Sequence, residues 1–257
     1  MPNQICEFLI HLGTIMTYCI GMKTTEGLVF ASDSRTNAGL DNYSTYKKMF
    51  SYSVGDRCIV LLTSGNLSTS QFVYKTIKED LDSKNPITSL NTCKNFDEIA
   101  SYIGMLSWQK SNTDGVTVNT DLGSNFIVGG QIKGQETEMM MIYPVGNYIR
   151  ISEIKPFLQL GETKYGKPIL DRLIRQELSL GDAARCALVS FDSTMKSDLT
   201  VGPPIDLVIY KADSFEISQE DQLQFKTPFF ADLSKKWSDG LLNLFGTLPK
   251  FDWEELD

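Results

Sequence analysis

Three residues near the start of the chain could carry out acyl transfer together. Asp33 stands sixteen residues after Thr17, and Lys48 follows fifteen residues later. If the mature chain begins at Thr17, its hydroxyl and its free α-amine belong to one residue, and such an amine has a pKa of about 7.7–8.0. That pKa suits a general base, so Thr17 could be both nucleophile and base, directly or through one water. A nearby lysine would lower the pKa of the amine, and an aspartate would hold the lysine in place.

The scarcity of histidine excludes the common alternatives. The only histidine of the chain is His11, which precedes Thr17. A Ser-His-Asp triad, a Cys-His pair and a histidine-rich metal site are therefore excluded from the body of the protein. The five cysteines are scattered and never form a C-x-x-C pair, which argues against a disulfide framework or a zinc ribbon and fits a reducing cytosol. We expect chemistry that needs no metal and no organic cofactor.

Composition argues against polyanionic partners and against export. The formal net charge of -8 disfavours binding to nucleic acid or to anionic lipid. No apolar run approaches the ~18 residues of a membrane span. Residues 1–16 contain neither Lys nor Arg and are not a secretory signal. They are either a propeptide or upstream sequence before a true start at Met16, and we favour the second because the small Thr17 side chain permits removal of an initiator Met. A cytoplasmic protein is expected.

The pattern of strands and helices predicts one α+β domain over residues 17–257. Two hairpins are expected first, over 17–33 and 48–63, followed by a helix with its apolar face at Phe72, Val73, Ile77 and Leu81 and a second helix with Asp97 as N-cap. The remaining predicted elements are strands Asn125–Gln131 and Glu138–Tyr143, helices Lys167–Glu177 and Asp182–Met195, strand Ile205–Tyr210, and an apolar stripe at Leu233, Trp237 and Leu241. This order favours two packed sheets with helices on their outer faces.

Several motifs at consistent intervals resemble those of proteasome β-type subunits. They are Thr17-Tyr18-Cys19-Ile20-Gly21, Ala31-Ser32-Asp33-Ser34-Arg35, Lys47-Lys48-Met49-Phe50 and Thr63-Ser64-Gly65-Asn66. The segments from Met16 to Cys19, from Phe30 to Gly39 and from Gly161 to Arg172 look closer to the bacterial ancestral-β (Anbu) branch. The resemblance extends over about residues 16–210.

The resemblance implies a four-layer αββα sandwich of the N-terminal nucleophile (Ntn) hydrolase fold. It implies a threonine-type endopeptidase in which Thr17 attacks a peptide carbonyl and forms an acyl ester. Asp33 would fix Lys48, Lys48 would tune the Thr17 amine, and the Gly65 N–H would form the oxyanion hole. Asp198 would support the amine. The implied partners are peptides or unfolded protein and further copies of the chain, in a ring or a helical stack.

The chain departs from the family pattern at three places. Lys48 comes one residue early, Glu162 or Thr163 stands where the family carries a serine that orients the amine, and Asp192 is a rival to Asp198. An Ntn amidase or acyltransferase acting on a small amide therefore stays open, as does a catalytically weak proteasome-like scaffold.

The segment from Gly161 to Lys167 imitates a phosphate-binding P-loop. Pro168 replaces the Ser or Thr that would bind Mg²⁺ there. We interpret Pro168 as a first-turn residue of a helix, and we expect no nucleotide.

Overall fold

The computed structural model describes residues 17–37, 43–118 and 122–255. Within these ranges one five-stranded sheet has the order β10-β1-β2-β11-β12, and a second has the order β5-β6-β7-β8-β9; all paired strands are antiparallel. The strands of the first sheet are β1 (Tyr18–Thr24), β2 (Gly27–Asp33), β10 (Phe157–Gly161), β11 (Ile205–Lys211) and β12 (Gln219–Leu223). Those of the second are β5 (Met49–Val54), β6 (Arg57–Gly65), β7 (Ser124–Ile132), β8 (Glu138–Ile142) and β9 (Tyr148–Arg150). Two short strands, β3 (Arg35–Asn37) and β4 (Tyr43–Thr45), form a separate pair and come between β2 and β5 in the chain.

Each central strand contributes side chains to two cores, one on each face of its sheet. In β1, Tyr18 and Ile20 pack under the helices of the first sheet, whereas Cys19 faces the second sheet. In β6, Leu61 packs under the other helices, whereas Val60 faces the first sheet. Successive side chains of a strand point to opposite faces, so strands that are apolar on both faces require a layer on each side.

Five helices supply those outer layers in the described part of the chain: α1 (Leu67–Asp82), α2 (Phe96–Val118), α3 (Thr163–Leu173), α4 (Leu180–Ser197) and α5 (Pro228–Phe245). Buried side chains of α1 and α2 belong to the core of the second sheet, and those of α3, α4 and α5 to the core of the first. A one-turn 3-10 helix, Asp252–Glu255, follows. The predicted αββα sandwich is confirmed. None of the helices within these ranges is long and apolar enough to cross a membrane.

Two local predictions were wrong. The N-cap of α2 is Asn95, whose Oδ1 accepts a hydrogen bond from the Glu98 N–H at 2.9 Å. Asp97 lies in the first turn and pairs with Arg150 instead, at 2.9 Å. Pro168 lies in the interior of α3, because that helix begins five residues earlier, at Thr163. Residues 1–16, with the alternatives raised for them and with His11, lie outside the described ranges.

Neither edge strand of the first sheet, β10 or β12, was predicted from the sequence. β12 consists of Gln219, Glu220, Asp221, Gln222 and Leu223, and it pairs with β11 through its backbone. Such polar strands are common at sheet edges, where charged side chains discourage further pairing, and they carry no apolar alternation. β10 is short and contains a polar Gln159, yet it places the end of the sheet beside Thr17.

Candidate active site

Thr17 is held at the head of the buried strand β1. Its carbonyl oxygen accepts a hydrogen bond from the Glu162 N–H at 2.7 Å. The next residue, Tyr18, donates its N–H to Asp33 Oδ1 at 3.0 Å and pairs with Gly161 of β10. Thr17 is fully buried, and its Oγ1 makes no hydrogen bond to any of the described residues. The backbone of Thr17 is thus fixed while its hydroxyl is left uncommitted.

Gly161 makes this position possible. It adopts φ +79°, and a Cβ built on it would lie 1.7 Å from the Thr17 carbonyl oxygen. A residue with a side chain would therefore clash with the backbone of Thr17, and left-handed backbone is costly for such residues as well. The Gly161 seen in the P-loop-like segment serves this close approach of two backbones.

Lys48 and Asp33 form a buried ion pair next to Thr17. Lys48 Nζ donates to Asp33 Oδ1 at 2.8 Å and to the Arg35 carbonyl oxygen at 2.5 Å. Asp33 is fully buried and the Lys48 side chain is 7% exposed. Burial raises the pKa of the Asp33 carboxyl, while the Lys48 ammonium and the backbone N–H groups of Tyr18 and Gly202 act against that rise. The ammonium and the Tyr18 N–H both bind Oδ1, whereas Oδ2 is buried and has no hydrogen-bond partner among the described residues.

Gly65 lies where β6 ends, in a turn that hydroxyl groups hold together. Thr63 Oγ1 and Ser70 Oγ are 2.7 Å apart, and Ser70 Oγ lies 3.3 Å from Ser124 Oγ. Ser124 Oγ also donates to the Asn66 carbonyl oxygen at 2.9 Å. Gly65 has φ +121°, a backbone conformation that L side chains rarely adopt. The turn is therefore shaped by a chain of buried hydroxyls that sequence reasoning did not identify.

A narrow cleft joins these elements. Thr17, Lys48 and Gly65 all line it, and Asp33 lies behind Lys48. Its other lining residues are Tyr46, Lys47, Thr63, Ser64, Leu67, Ser70 and Tyr74. The structure thus brings together four of the five residues predicted for the site, at the end of the sandwich where the two sheets meet.

The fifth residue, Asp198, has local partners in this structure. It caps the C-terminus of α4, and its Oδ1 accepts a hydrogen bond from the Thr200 N–H at 2.9 Å. Its rival Asp192 binds Lys196 at 2.8 Å and Ser234 at 2.5 Å, and so ties α4 to α5. Support of the Thr17 amine by Asp198 stays a prediction.

Glu162 meets Thr17 through its backbone. Its N–H bonds the Thr17 carbonyl, while its carboxylate pairs with Lys164 at 3.4 Å. Thr163, the other residue that could replace the family's serine, begins α3.

Arg35 and Gly202 also contribute to the site, although neither was predicted as a site residue. The Arg35 guanidinium donates to the Leu199 carbonyl oxygen at 2.5 Å and lies against Gly202, where a Cβ would come within 2.4 Å of it. The Gly202 N–H opposes the rise in the pKa of the Asp33 carboxyl. Arg35 therefore fastens the loop between α4 and β11 to the segment that directly follows Asp33.

Cys19, the thiol nearest the site, is poorly suited to be a nucleophile. It is fully buried, and its Sγ contacts the Thr63 carbonyl oxygen at 3.6 Å. Burial raises the pKa of its thiol, so the reactive thiolate is disfavoured.

Comparison with known proteins agrees with this geometry. A family model described as "Proteasome subunit" matches residues 16–210. Among solved structures, the "Anbu (Gly-1) mutant" from Hyphomicrobium sp. strain MC1 is 43% identical, with a TM-score of 0.86 and coverage of 92% of this chain and 99% of that one. Anbu (ancestral beta-subunit) from Yersinia bercovieri is 39% identical, with a TM-score of 0.86 and coverage of 92% and 100%.

Two further relatives place the chain more broadly. The structure titled "Helical Assembly of the Anbu Complex from Pseudomonas aeruginosa" is 41% identical, with a TM-score of 0.86 and coverage of 91% of this chain and 98% of that one. "Proteasome subunit beta 2" of Pyrobaculum calidifontis is 24% identical over 192 residues, which are 74% of this chain and 86% of that protein. The chain belongs to the proteasome subunit family and takes its place there beside the ancestral β-subunit (Anbu) proteins.

Proposed function

We propose that this protein is a threonine-type endopeptidase of the Ntn hydrolase class, active once Thr17 is the first residue. The observation that carries the proposal is the cleft in which the buried hydroxyl of Thr17 shares walls with Lys48 and Gly65. The ion pair of Lys48 with Asp33, at 2.8 Å, supports it because it fixes a positive charge in the cleft that Thr17 lines.

The proposed reaction uses only groups of the chain and water. The Thr17 α-amine takes the proton of Oγ1, directly or through one water, and Oγ1 attacks the carbonyl carbon of a peptide bond. The Gly65 N–H stabilises the oxyanion of the tetrahedral intermediate. The amine then gives its proton to the departing amino group, leaving an acyl ester on Thr17. Water hydrolyses this ester and restores the hydroxyl.

Each neighbour of Thr17 has one task in this scheme. The ammonium of Lys48 lowers the pKa of the Thr17 amine, so that more of it is neutral near pH 7. Asp33 holds Lys48, and the Arg35 carbonyl accepts a second hydrogen bond from the same ammonium. Removal of the residues before Thr17, as an initiator Met or as a propeptide, is part of the proposal.

The proposal also includes self-association and a cytoplasmic location. A proteasome-like subunit on its own would leave its cleft open to folded proteins, whereas an assembly restricts access to peptides and unfolded chains. The Anbu complex of Pseudomonas aeruginosa is described as a helical assembly. We extend to this chain the expectation of a homo-oligomer, as a ring or a helical stack.

A catalytically weak scaffold is the second candidate. It draws support from the local engagement of Asp198 with Thr200 and from the replacement of an amine-orienting serine by Glu162 or Thr163. In that case the assembly would persist without turnover.

The wild type and two variants of residue 17 test the proposal. Intact mass should show a chain that begins at Thr17. The wild type should cleave at least one member of a panel of fluorogenic peptides, Thr17→Ser should keep part of that rate, and Thr17→Ala should lose at least ~10²-fold because it keeps the amine and lacks the nucleophile. An epoxyketone, which needs both hydroxyl and amine, should label wild type and spare Thr17→Ala.

The outcomes separate the candidates. A homogeneous active chain that still carries residues before Thr17 would refute the mechanism. A correctly processed protein that cleaves no peptide favours the scaffold, and one that cleaves only small amides favours an Ntn amidase.

A further inference from the structure

The apolar stripe of α5 continues past the core of the subunit. Phe230 and Leu233 begin the stripe and pack into the core of the first sheet, with Phe230 only 2% exposed. Trp237, Leu241 and Leu244 follow at intervals of three or four residues, so they lie on the same face of the helix. Leu241 and Leu244 are nonetheless exposed. One face of the helix is therefore buried at its beginning and uncovered at its end.

The contacts between α5 and α4 show where the subunit stops covering the apolar stripe of α5. Asp192 of α4 binds Ser234, and Lys196 binds Ser238 at 2.9 Å. Since α4 ends at Ser197, it extends little beyond this contact. The exposed side chains that follow form what we call the C-terminal surface: Leu241, Leu242, Leu244, Phe245, Leu248, Phe251 and Trp253. The rings of Phe251 and Trp253 stack on each other with centroids 5.4 Å apart.

The area of this surface matches one side of a stable interface. Fully exposed side chains of this size present roughly 150–200 Å² each, so these seven, exposed by 47% to 73%, offer on the order of 800 Å². The largest apolar patch on a monomeric protein is usually about 300–600 Å². A standard protein–protein interface covers about 800 Å² per partner.

The charged residues along α5 are paired within the subunit. Lys235 pairs with Asp239 at 2.9 Å and Lys236 with Asp232 at 2.9 Å, both within α5. The two positive charges are thus matched by two negative ones along the same helix. A second copy of the helix would therefore meet no net charge from these four residues, whereas the segment after the helix is acidic, with Asp252, Glu254 and Glu255 against Lys250.

We propose that the C-terminal surface docks a second copy of this chain and is an assembly interface of the protein. This proposal rests on the self-association in the proposed function and adds where it occurs. Burying the surface covers the part of the α5 stripe that the subunit's own core does not reach. The interface does not use the Thr17 cleft, so assembly and peptide hydrolysis can be disturbed separately.

Sedimentation velocity tests the surface directly. Wild type should sediment well above the 28.8 kDa of one chain. The double variant Leu242→Lys/Phe245→Lys changes two side chains that are each 73% exposed, so its circular dichroism should match wild type while its average mass falls at least twofold. The matched control is Val145→Lys/Ile154→Lys, which adds the same charge at two other exposed apolar positions and should keep the wild-type mass.

Chemical labelling gives a second measurement without disrupting the assembly. A maleimide should label Leu242→Cys at least tenfold more slowly than Ile154→Cys in native protein, and the two should react alike once unfolded. Running both measurements in the Thr17→Ala background separates the interface from the chemistry.

The possible results refute either the proposed surface or self-association as a whole. A wild-type mass for the Leu242/Phe245 variant, equal mass loss in the control, or rapid labelling at Leu242→Cys overturns the proposed surface. A monomeric wild type refutes the self-association itself and leaves the peptidase proposal standing.

Discussion

At the scale of single residues, Lys48 is the most constrained member of the site. A pair of lysines such as Lys47-Lys48 usually lies on a solvated, charged face. The structure instead buries Lys48 against a fully buried Asp33, whereas its neighbour Lys47 is exposed. Breaking a buried ion pair leaves one charge uncompensated, which costs about 3–5 kcal/mol. Lys48 therefore contributes to stability as well as to the proposed chemistry.

Replacing Lys48 by Met should destabilise the fold in a pH-dependent way. The variant removes the cation that opposes the rise of the Asp33 pKa, so this pKa rises further above its unfolded value of about 3.9. A raised carboxyl pKa means that stability is lost as pH increases from the unfolded value through the folded one. Urea unfolding should show a deficit of about 3–5 kcal/mol at pH 8 and a smaller one at pH 5.

Lys47→Met is the matched control for that measurement. Its ammonium is half exposed and lies 3.7 Å from Glu220, so its loss should change stability by less than about 1 kcal/mol at either pH. A deficit in Lys48→Met that is small or independent of pH would show that Asp33 does not need its partner.

At the scale of secondary structure, the junction of β10 and α3 positions Thr17. Gly161 ends β10 in left-handed backbone and Glu162 turns its N–H to the Thr17 carbonyl, so the edge strand delivers a hydrogen bond to the first residue of the site. The opposite side of Thr17 is fixed through Tyr18, whose N–H bonds Asp33. The nucleophile is thus held by the elements on both sides of β1.

Gly161→Ala should disturb the site strongly, although it adds only one methyl group. The added Cβ would meet the Thr17 carbonyl oxygen at 1.7 Å and force an unfavourable φ, so we expect a loss of at least ~2 kcal/mol in stability and of at least tenfold in kcat. Gly181→Ala, in the first turn of α4, meets only ordinary contacts and serves as control. Thermal melts and peptide turnover measure both, and wild-type behaviour of Gly161→Ala would mean that the junction does not hold Thr17.

At the scale of the whole molecule, glycines let the two sheets approach each other. A Cβ on Gly129 of β7 would lie 2.8 Å from the ring of Phe30 in β2, and one on Gly21 of β1 would lie 2.6 Å from Met139 of β8. At these two positions the core between the sheets has no room for a further methyl group. The spacing of the sheets matters to the site, because Thr17 comes from one sheet and Gly65 from the other.

Gly129→Ala and Gly240→Ala should have opposite effects. The first overpacks the core between the sheets and should cost about 1–3 kcal/mol. The second adds a methyl group in open space within α5 and should stabilise by about 0.5–1 kcal/mol, because alanine favours helix. Melting temperatures should move by about 2–4 °C for each kcal/mol in a protein of this length. A neutral Gly129→Ala would show that the sheets can separate at little cost.

The local periods of the sequence determined most of the fold. Alternation of apolar residues and turn residues such as Gly27 and Gly55 placed both hairpins correctly, since a side-chain period and a turn conformation are properties of a few neighbouring residues. The same reasoning missed β10 and β12, because an edge strand needs only backbone pairing with a partner far along the chain.

The candidate site divides in the same way. The residue types and intervals of Thr17, Asp33 and Lys48 were enough to propose the chemistry, because the chemistry depends on which groups are present. Only the tertiary structure decided that Lys48 is buried and that Arg35 fastens the Gly202 loop. Lys48, directly before β5 of one sheet, meets Asp33 at the end of β2 in the other, and Arg35 meets Leu199, which lies 164 residues further along the chain. Burial and long-range contact set the pKa values and the rigidity of the site, and neither can be deduced from spacing.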